Sequence, residues 1–200
     1  MQNINTALLH LKKDKLLAKI IEKFPKPNLN TDKDYFEALL ESIIYQQLSG
    51  KSAGTIERRF KALFKGKPTP LRVLKLKDIQ FREAGISGQK MNYLKDLSIK
   101  FLNGTINSSN FNTMTDEDIR LHLISVRGIG RWTADMFLIF TLNRLDVLPT
   151  GDLGIKKGFK KVFNLRKLPD DKKMQKLANS WRPYSTVASL YLWKVANDIK

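Results

Sequence analysis

Apolar residues recur along this chain at three- and four-residue spacing almost from end to end, the pattern of amphipathic helices. Leu9, Leu16, Leu17, Ile20, Ile21 and Phe24 fall on one face of a first helix, which Pro25 and Pro27 stop. Tyr35, Phe36, Leu39, Leu40, Ile43 and Ile44 predict a strongly apolar second helix, and Ala53, Ile56, Phe60, Leu63 and Phe64 a third. Thr69-Pro70 reads as an N-cap followed by proline at the first helical position, opening a short helix over Leu71–Leu74. Another short helix covers Ile79–Ala84 and ends at Gly85. A longer one runs from about Gln89 to Leu102, with Asn103-Gly104 as its stop. After a polar connector over Asn107–Thr113, Thr115 and Asp118 form a capping-box-like pair for a helix from Ile119 to Val126. The helix from Arg131 to about Leu142 is apolar on most sides, which marks it as buried and central. Beyond the connector Leu145–Gly151 come a basic helix from Asp152, one over about Asp170 to Asn179, and a last one over about Ser185 to Asn197. No strand-like alternation is present, so the expected class is all-α.

Charge narrows the partner. The 200 residues carry 36 Lys+Arg against 19 Asp+Glu, a formal net charge of +17. Such an excess points to a polyanion, nucleic acid first and an anionic membrane surface second. Hydrophobic residues at 42% and charged residues at 28% are ordinary for a globular chain and exclude a disordered one. The length fits one compact domain or two small lobes. There are no cysteines, which excludes a disulfide scaffold, a thiol nucleophile and an iron–sulfur cluster. His10 and His122 are the only histidines, so a histidine-ligated metal is not expected either. No apolar run approaches the roughly 20 residues that span a bilayer. The N-terminal stretch lacks a secretory layout, so an intracellular location is expected.

Three features carry candidate chemistry. The first is the turn Val126-Arg127-Gly128-Ile129-Gly130-Arg131 between two helices. Glycines there let the backbone approach a ligand, and the amides at the start of the next helix favour an anion such as a DNA phosphate. A helix–turn–helix corner that needs glycine only for its geometry accounts for the same residues. The second is Asp152, in Leu148-Pro149-Thr150-Gly151-Asp152-Leu153-Gly154, one buried helix and one connector beyond the hairpin. It suits an N-cap, and it also suits a fixed carboxylate facing positive charge that develops on a sugar. The third is the set of tryptophans, Trp132, Trp181 and Trp193, which serve either as core or as a stacking wall for a base removed from a duplex. His122 reads as structural or surface, Asp135 as a helix-surface charge and Asp146 as a connector cap.

Taken together, the stretch Leu121–Gly158 resembles the signature of the helix–hairpin–helix DNA glycosylase superfamily, and within it the 3-methyladenine DNA glycosylase II branch. Tyr45-Gln46-Gln47-Leu48-Ser49, Gly85-Ile86-Ser87-Gly88-Gln89-Lys90, and Trp181-Arg182-Pro183-Tyr184 leading to Tyr191-Leu192-Trp193 extend the resemblance over about residues 35–197. It implies a minimal all-α helix–hairpin–helix glycosylase fold without the N-terminal β-domain of some relatives. Two helical lobes would flank the active-site cleft. Residues 35–142 would form a central lobe ending in the helix–hairpin–helix at about 116–142, and 1–34 with 143–200 the second lobe.

The resemblance also implies roles. Asp152 would be the catalytic carboxylate, and Trp132, Trp193 and Met136 would line the base pocket; some members carry an aromatic where Met136 stands. Gln46, Gln47 and Leu48 would face DNA, with Gln47 or Leu48 filling the gap left by a flipped nucleotide. Arg127, Gly128, Gly130 and Thr133 would contact DNA. Apart from the resemblance, the acid-free run Lys156, Lys157, Lys160, Lys161, Arg166 and Lys167 reads either as a solvated helix face or, because it follows Asp152 directly, as a grip on the phosphates flanking a lesion. The carbonyls of Ile124, Val126 and Ile129 would hold a monovalent cation, Na+ or K+, with no other cofactor. Bifunctional members carry a lysine two residues after the second hairpin glycine. Trp132 stands there, and an indole forms no Schiff base. The expected activity is therefore hydrolysis of the N-glycosidic bond of alkylated purines, by a monomer acting on damaged double-stranded DNA inside the cell and not at a membrane. A glycosylase for deaminated or oxidised bases and a non-enzymatic DNA-binding module are the alternatives.

Overall fold

The computed structural model describes residues 4–29 and 34–198. Among them are twelve α-helices and no strand. In chain order the first six are α1 (Ile4–Leu11), α2 (Lys15–Lys23), α3 (Tyr35–Tyr45), α4 (Gly50–Ala62), α5 (Pro70–Leu74) and α6 (Asp78–Glu83). Then follow α7 (Gly88–Leu102), α8 (Asp116–Ile124), α9 (Arg131–Phe140), α10 (Leu153–Val162), α11 (Asp171–Leu177) and α12 (Ser185–Asn197). None of the described helices is long and apolar enough to cross a membrane. Met1–Asn3, the head of the N-terminal stretch considered above, lie outside the described residues, as do 30–33 before α3.

The described residues form two compact units, one from 4–29 and 138–198, the other from 34–137. In the first, α10 packs along α12. A Cβ at Gly158 would lie 2.6 Å from the Leu192 carbonyl oxygen, so the two helices approach by way of glycine. Trp181 is fully buried and stacks on Phe159 with centroids 5.2 Å apart. Thr186 ties the connector before α10 to α12: its hydroxyl donates to the Arg144 carbonyl at 2.6 Å and accepts the Val147 amide at 2.9 Å. Gly158→Ala, set against backbone and not against a yielding side-chain tip, should cost about 1–3 kcal/mol as overpacking does. Thermal melting checks this; a parent-like midpoint would mean the helices part at no cost.

The single N-terminal helix expected from periodicity is two helices. Asp14 interrupts it by capping α2, its Oδ1 accepting the amides of Leu16 at 2.8 Å and Leu17 at 3.2 Å. Asp14 Oδ2 also accepts the Trp181 indole N–H at 3.0 Å. Leu9 is consequently 72% exposed although it shares the apolar spacing.

In the other unit, Leu39, Leu40, Ile43 and Ile44 of α3 are buried with Phe60 of α4, Phe81 of α6, and Leu94 and Leu97 of α7. The cap at Thr69 is formed, its hydroxyl accepting the Arg72 amide at 3.4 Å with Pro70 at the first helical position. Asp135 departs from expectation. It is 5% exposed and not a surface charge, because Arg120 of α8 meets it with Nε at 2.6 Å. Burial raises the Asp135 pKa, and the Arg120 guanidinium works against that shift. Their hydrogen bond links α8 to α9.

Candidate active site and DNA-facing hairpin

Pro149 shapes the approach to α10, and its carbonyl accepts the Asp152 amide at 3.0 Å. Asp152 then takes an extended backbone as N-cap of α10. Its Oδ1 accepts two N–H groups, the Ile155 amide at 2.8 Å and Trp193 Nε1 of α12 at 2.8 Å. Helix dipole, cap and indole N–H all favour a negative charge at this point. Gly154 allows the arrangement: a Cβ there would fall 2.8 Å from Trp193 Cδ1 and 3.0 Å from Asp152 Oδ1. The space beside Gly154 is therefore taken by the Trp193 ring, whereas a Cβ at Gly151 would meet nothing within 4 Å.

Trp193 is half-buried, and the Phe140 ring stacks on it with centroids 5.8 Å apart and planes 27° from parallel. Phe140 is exposed, so an aromatic pair borders the carboxylate on a surface open to a ligand. Reading the sequence missed Phe140. It stands one turn beyond Met136 on a helix apolar on nearly every side, where a wall residue and a core residue look alike. Lys157 is exposed on α10, while Lys156 lies 3.7 Å from Asp171. Lys161 donates to the carbonyls of Val195 at 3.1 Å and Ala196 at 3.2 Å, which places it at the end of α12.

The hairpin belongs to the other unit. Val126 and Ile129 are buried and anchor it, while Arg127, Gly128 and Gly130 are exposed. The Ile129 amide donates to the Val126 carbonyl at 3.1 Å, closing the turn. Gly128 has φ +82°, and a Cβ there would lie 2.2 Å from the Tyr93 ring, so glycine is required on both counts. Trp132 is 50% exposed, Met136 is half-buried, and the Thr133 side chain is buried. The Thr133 amide lies in the first turn of α9, where backbone N–H groups have no partner within the helix.

Gln46, the C-cap of α3, donates from Nε2 to the Gly128 carbonyl at 2.8 Å, which joins the α3–α4 loop to the hairpin. Gln47 is exposed with φ +57°, and Leu48 is exposed. The structure thus brings Asp152, Gly154, Trp193 and Phe140 together in one unit, and Gln46 and Gly128 together in the other. His122 is exposed, and Asp146 accepts the Ser185 amide at 3.2 Å at the start of α12. Among the described residues no group of His, Asp or Glu is arranged to hold a metal ion.

An all-helical chain with a glycine hairpin opening one helix and a carboxylate capping a later helix beside an aromatic pair is the arrangement of a helix–hairpin–helix repair protein. Residues 40–183 match the HhH-GPD superfamily of base excision DNA repair proteins, and the chain belongs to that superfamily. It is 33% identical over 186 residues to DNA-3-methyladenine glycosylase 1 of Schizosaccharomyces pombe, covering 91% of this chain and 81% of the relative. A putative DNA-3-methyladenine glycosylase of Bacillus subtilis is 33% identical over 96% of this chain and 69% of its own length. Among solved structures, the S. pombe enzyme in complex with abasic DNA superposes with a TM-score of 0.82 at 32% identity, over 94% of this chain and 95% of that one. The DNA-3-methyladenine glycosidase of Bacillus halodurans gives 0.87 at 34% identity, over 94% and 88%.

Proposed function

We propose that this chain is a monofunctional DNA glycosylase of base excision repair that flips alkylated purines, of the 3-methyladenine and 7-methylguanine type, out of duplex DNA and hydrolyses their N-glycosidic bond. The observation that carries the reading is the Asp152 carboxylate, fixed by the α10 cap and by the Trp193 indole N–H beside the Trp193–Phe140 pair. The alkylated-base relatives named above support the choice of substrate.

The chemistry follows from charge. An alkylated purine nucleotide is cationic, so an indole or phenyl face attracts its base more than a normal one. On the other unit, Trp132, 50% exposed at the start of α9, offers a stacking face of its own for a base in this reading. As the C1′–N bond breaks, the base takes the electron pair and leaves neutral, and positive charge moves to the sugar. A preorganised carboxylate stabilises that charge. Water adds its oxygen to C1′, its proton passes to Asp152 or to solvent, and an abasic site remains.

The hairpin amides of Gly128 and Gly130 and the exposed Arg127 and Lys157 grip the backbone next to the lesion, while Gln47 or Leu48 fills the gap. The protein acts as a monomer on damaged duplex DNA within the cell. The hairpin carbonyls of Ile124, Val126 and Ile129 suit a sodium or potassium ion. Val126 accepts one N–H, from Ile129, and keeps a second lone pair.

The test is release of free 3-methyladenine or 7-methylguanine from methylated duplex DNA by the purified chain. Because Trp132 occupies the lysine position, the product strand should stay intact until alkali is added, and borohydride should trap no covalent adduct. Absence of free base overturns the enzyme assignment; a substantial trapped adduct overturns the simple hydrolysis.

A further inference from the structure

Lys90, Tyr93, Asp96 and Lys100 stand three, three and four positions apart on α7, so they share one side of the helix. Each meets the backbone of one of the two segments assigned above to DNA. Lys90 Nζ donates to the carbonyls of Ile44 at 2.6 Å and Gln46 at 2.8 Å, satisfying the C-terminal end of α3. The Tyr93 ring lies under Gly128, so close that any side chain there would collide with it. Asp96 Oδ2 accepts the Arg127 amide at 2.8 Å and Lys100 Nζ at 2.9 Å, and Lys100 also donates to the Ser125 carbonyl. Gln46 closes the circuit through its bond to Gly128. Between these fastenings Gln47 is held at φ +57°, a conformation that residues other than glycine rarely adopt.

We infer that α7 is a positioning helix: Lys90, Tyr93, Asp96 and Lys100 hold the α3–α4 loop and the glycine hairpin in one fixed register, so that the gap-filling side chain and the phosphate-binding amides engage a lesion together. The inference rests on the glycosylase reading. These residues act through backbone atoms of the two segments and are not catalytic residues. Nonspecific binding needs only positive charge near phosphate, whereas recognition of a displaced nucleotide needs both segments at once. Loss of the register therefore affects lesion discrimination and leaves general DNA affinity in place.

Asp96 separates positioning from simple electrostatics. If it were only a negative charge near the DNA, its removal would tighten binding to every duplex. As a positioning residue, its removal weakens lesion binding.

The experiment measures affinity for a duplex carrying a tetrahydrofuran abasic analogue and for the same duplex undamaged, with the parent chain, Asp96→Ala, Asp96→Asn and Lys90→Met, each checked by thermal melting. In Asp96→Ala and Lys90→Met the ratio of the two affinities should fall on the order of tenfold, the equivalent of one lost hydrogen bond to a charged group. Undamaged-duplex affinity should hold or, for Asp96→Ala, rise slightly. Asp96→Asn, which still offers an oxygen to the Arg127 amide, should keep most of the parent ratio. Folded Lys90→Met with the parent ratio overturns the inference, whether or not Asp96→Ala folds; so does equal tightening on both duplexes by Asp96→Ala. A parent chain that does not distinguish the two duplexes overturns the DNA-facing assignment itself, and the inference with it, whereas a discriminating parent with equally discriminating variants overturns the inference alone.

Discussion

Asp152→Asn should lower single-turnover release of free base by about 10²–10³-fold, the usual cost of removing one preorganised electrostatic group. The substitution is nearly isosteric. Asn Oδ1 can still accept the Ile155 amide and the Trp193 indole N–H that Asp152 accepts at 2.8 Å each. Stability should therefore change by no more than about 1 kcal/mol, since asparagine is as good an N-cap as aspartate. What disappears is the negative charge that faces the sugar cation. The loss should be smaller on 7-methylguanine than on a normal purine, because a cationic base already leaves readily. Affinity for an abasic-analogue duplex should hold or increase, as one carboxylate no longer repels phosphate. Melting, binding and base release together decide the matter. A folded variant that binds DNA and releases base at the parent rate would reduce Asp152 to a helix cap.

The contrast with Asp152→Ala makes the test sharper. Alanine removes both cap and charge, so it should lose about 1 kcal/mol of stability in addition to the rate. If alanine and asparagine have the same rate defect but different melting points, the cap and the charge are separable functions of one side chain.

Helix content was legible because apolar spacing and stop signals agreed. Thr69-Pro70 opens α5, and Asn103-Gly104 closes α7 with Gly104 at φ +78°. What periodicity cannot register is a break that leaves the spacing undisturbed. The interruption at Asp14 is of that kind, because its cap competes locally with helix continuation while Leu16 and Leu17 keep the pattern. Burial of Asp135 was equally invisible, since its partner Arg120 lies on another helix and only packing brings guanidinium and carboxylate to 2.6 Å. An unpaired aspartate at that position reads as solvated.

The chemistry divides in the same way. Asp152 and Trp193 drew attention separately, one for its place before a helix and one for its residue type, and the structure joins them by a single hydrogen bond. Glycine at 128 was readable as a turn requirement, but the Tyr93 ring beneath it was not. Gly154 is visible in the sequence as a glycine near the start of a helix, but the Trp193 ring that its missing side chain admits is not. Phe140 had no distinguishing signal, because α9 is apolar around most of its circumference and the exposure of one aromatic on it depends on where the helix ends. In each case the local residue type was informative and the tertiary neighbour was not.

That joint between Trp193 and Asp152 sets the second large effect. Trp193→Ala removes a stacking face worth about 1–3 kcal/mol. It also removes a hydrogen bond to a charged group, worth about 1.5–3 kcal/mol. Excision should fall by at least the roughly 5–150-fold that stacking alone implies, with undamaged-DNA affinity little changed. Trp193→Phe separates the two contributions: it keeps an aromatic face against Phe140 and deletes only the Nε1–H that holds Asp152 Oδ1. Its defect should appear in the maximal single-turnover rate more than in binding, because the carboxylate is less fixed while the base still stacks. Gly154→Ala approaches the same joint from the other side, placing a methyl 2.8 Å from Trp193 Cδ1 and 3.0 Å from Asp152 Oδ1. Alanine within α10 offsets part of the clash by about 0.5–1 kcal/mol of helix preference, so melting should shift less than activity. Base release should nonetheless drop, since the ring and the carboxylate cannot both keep their places. Should Trp193→Phe and Gly154→Ala both fold and excise at the parent rate, the indole–carboxylate bond is packing alone, and the reacting charge must be sought elsewhere in the chain.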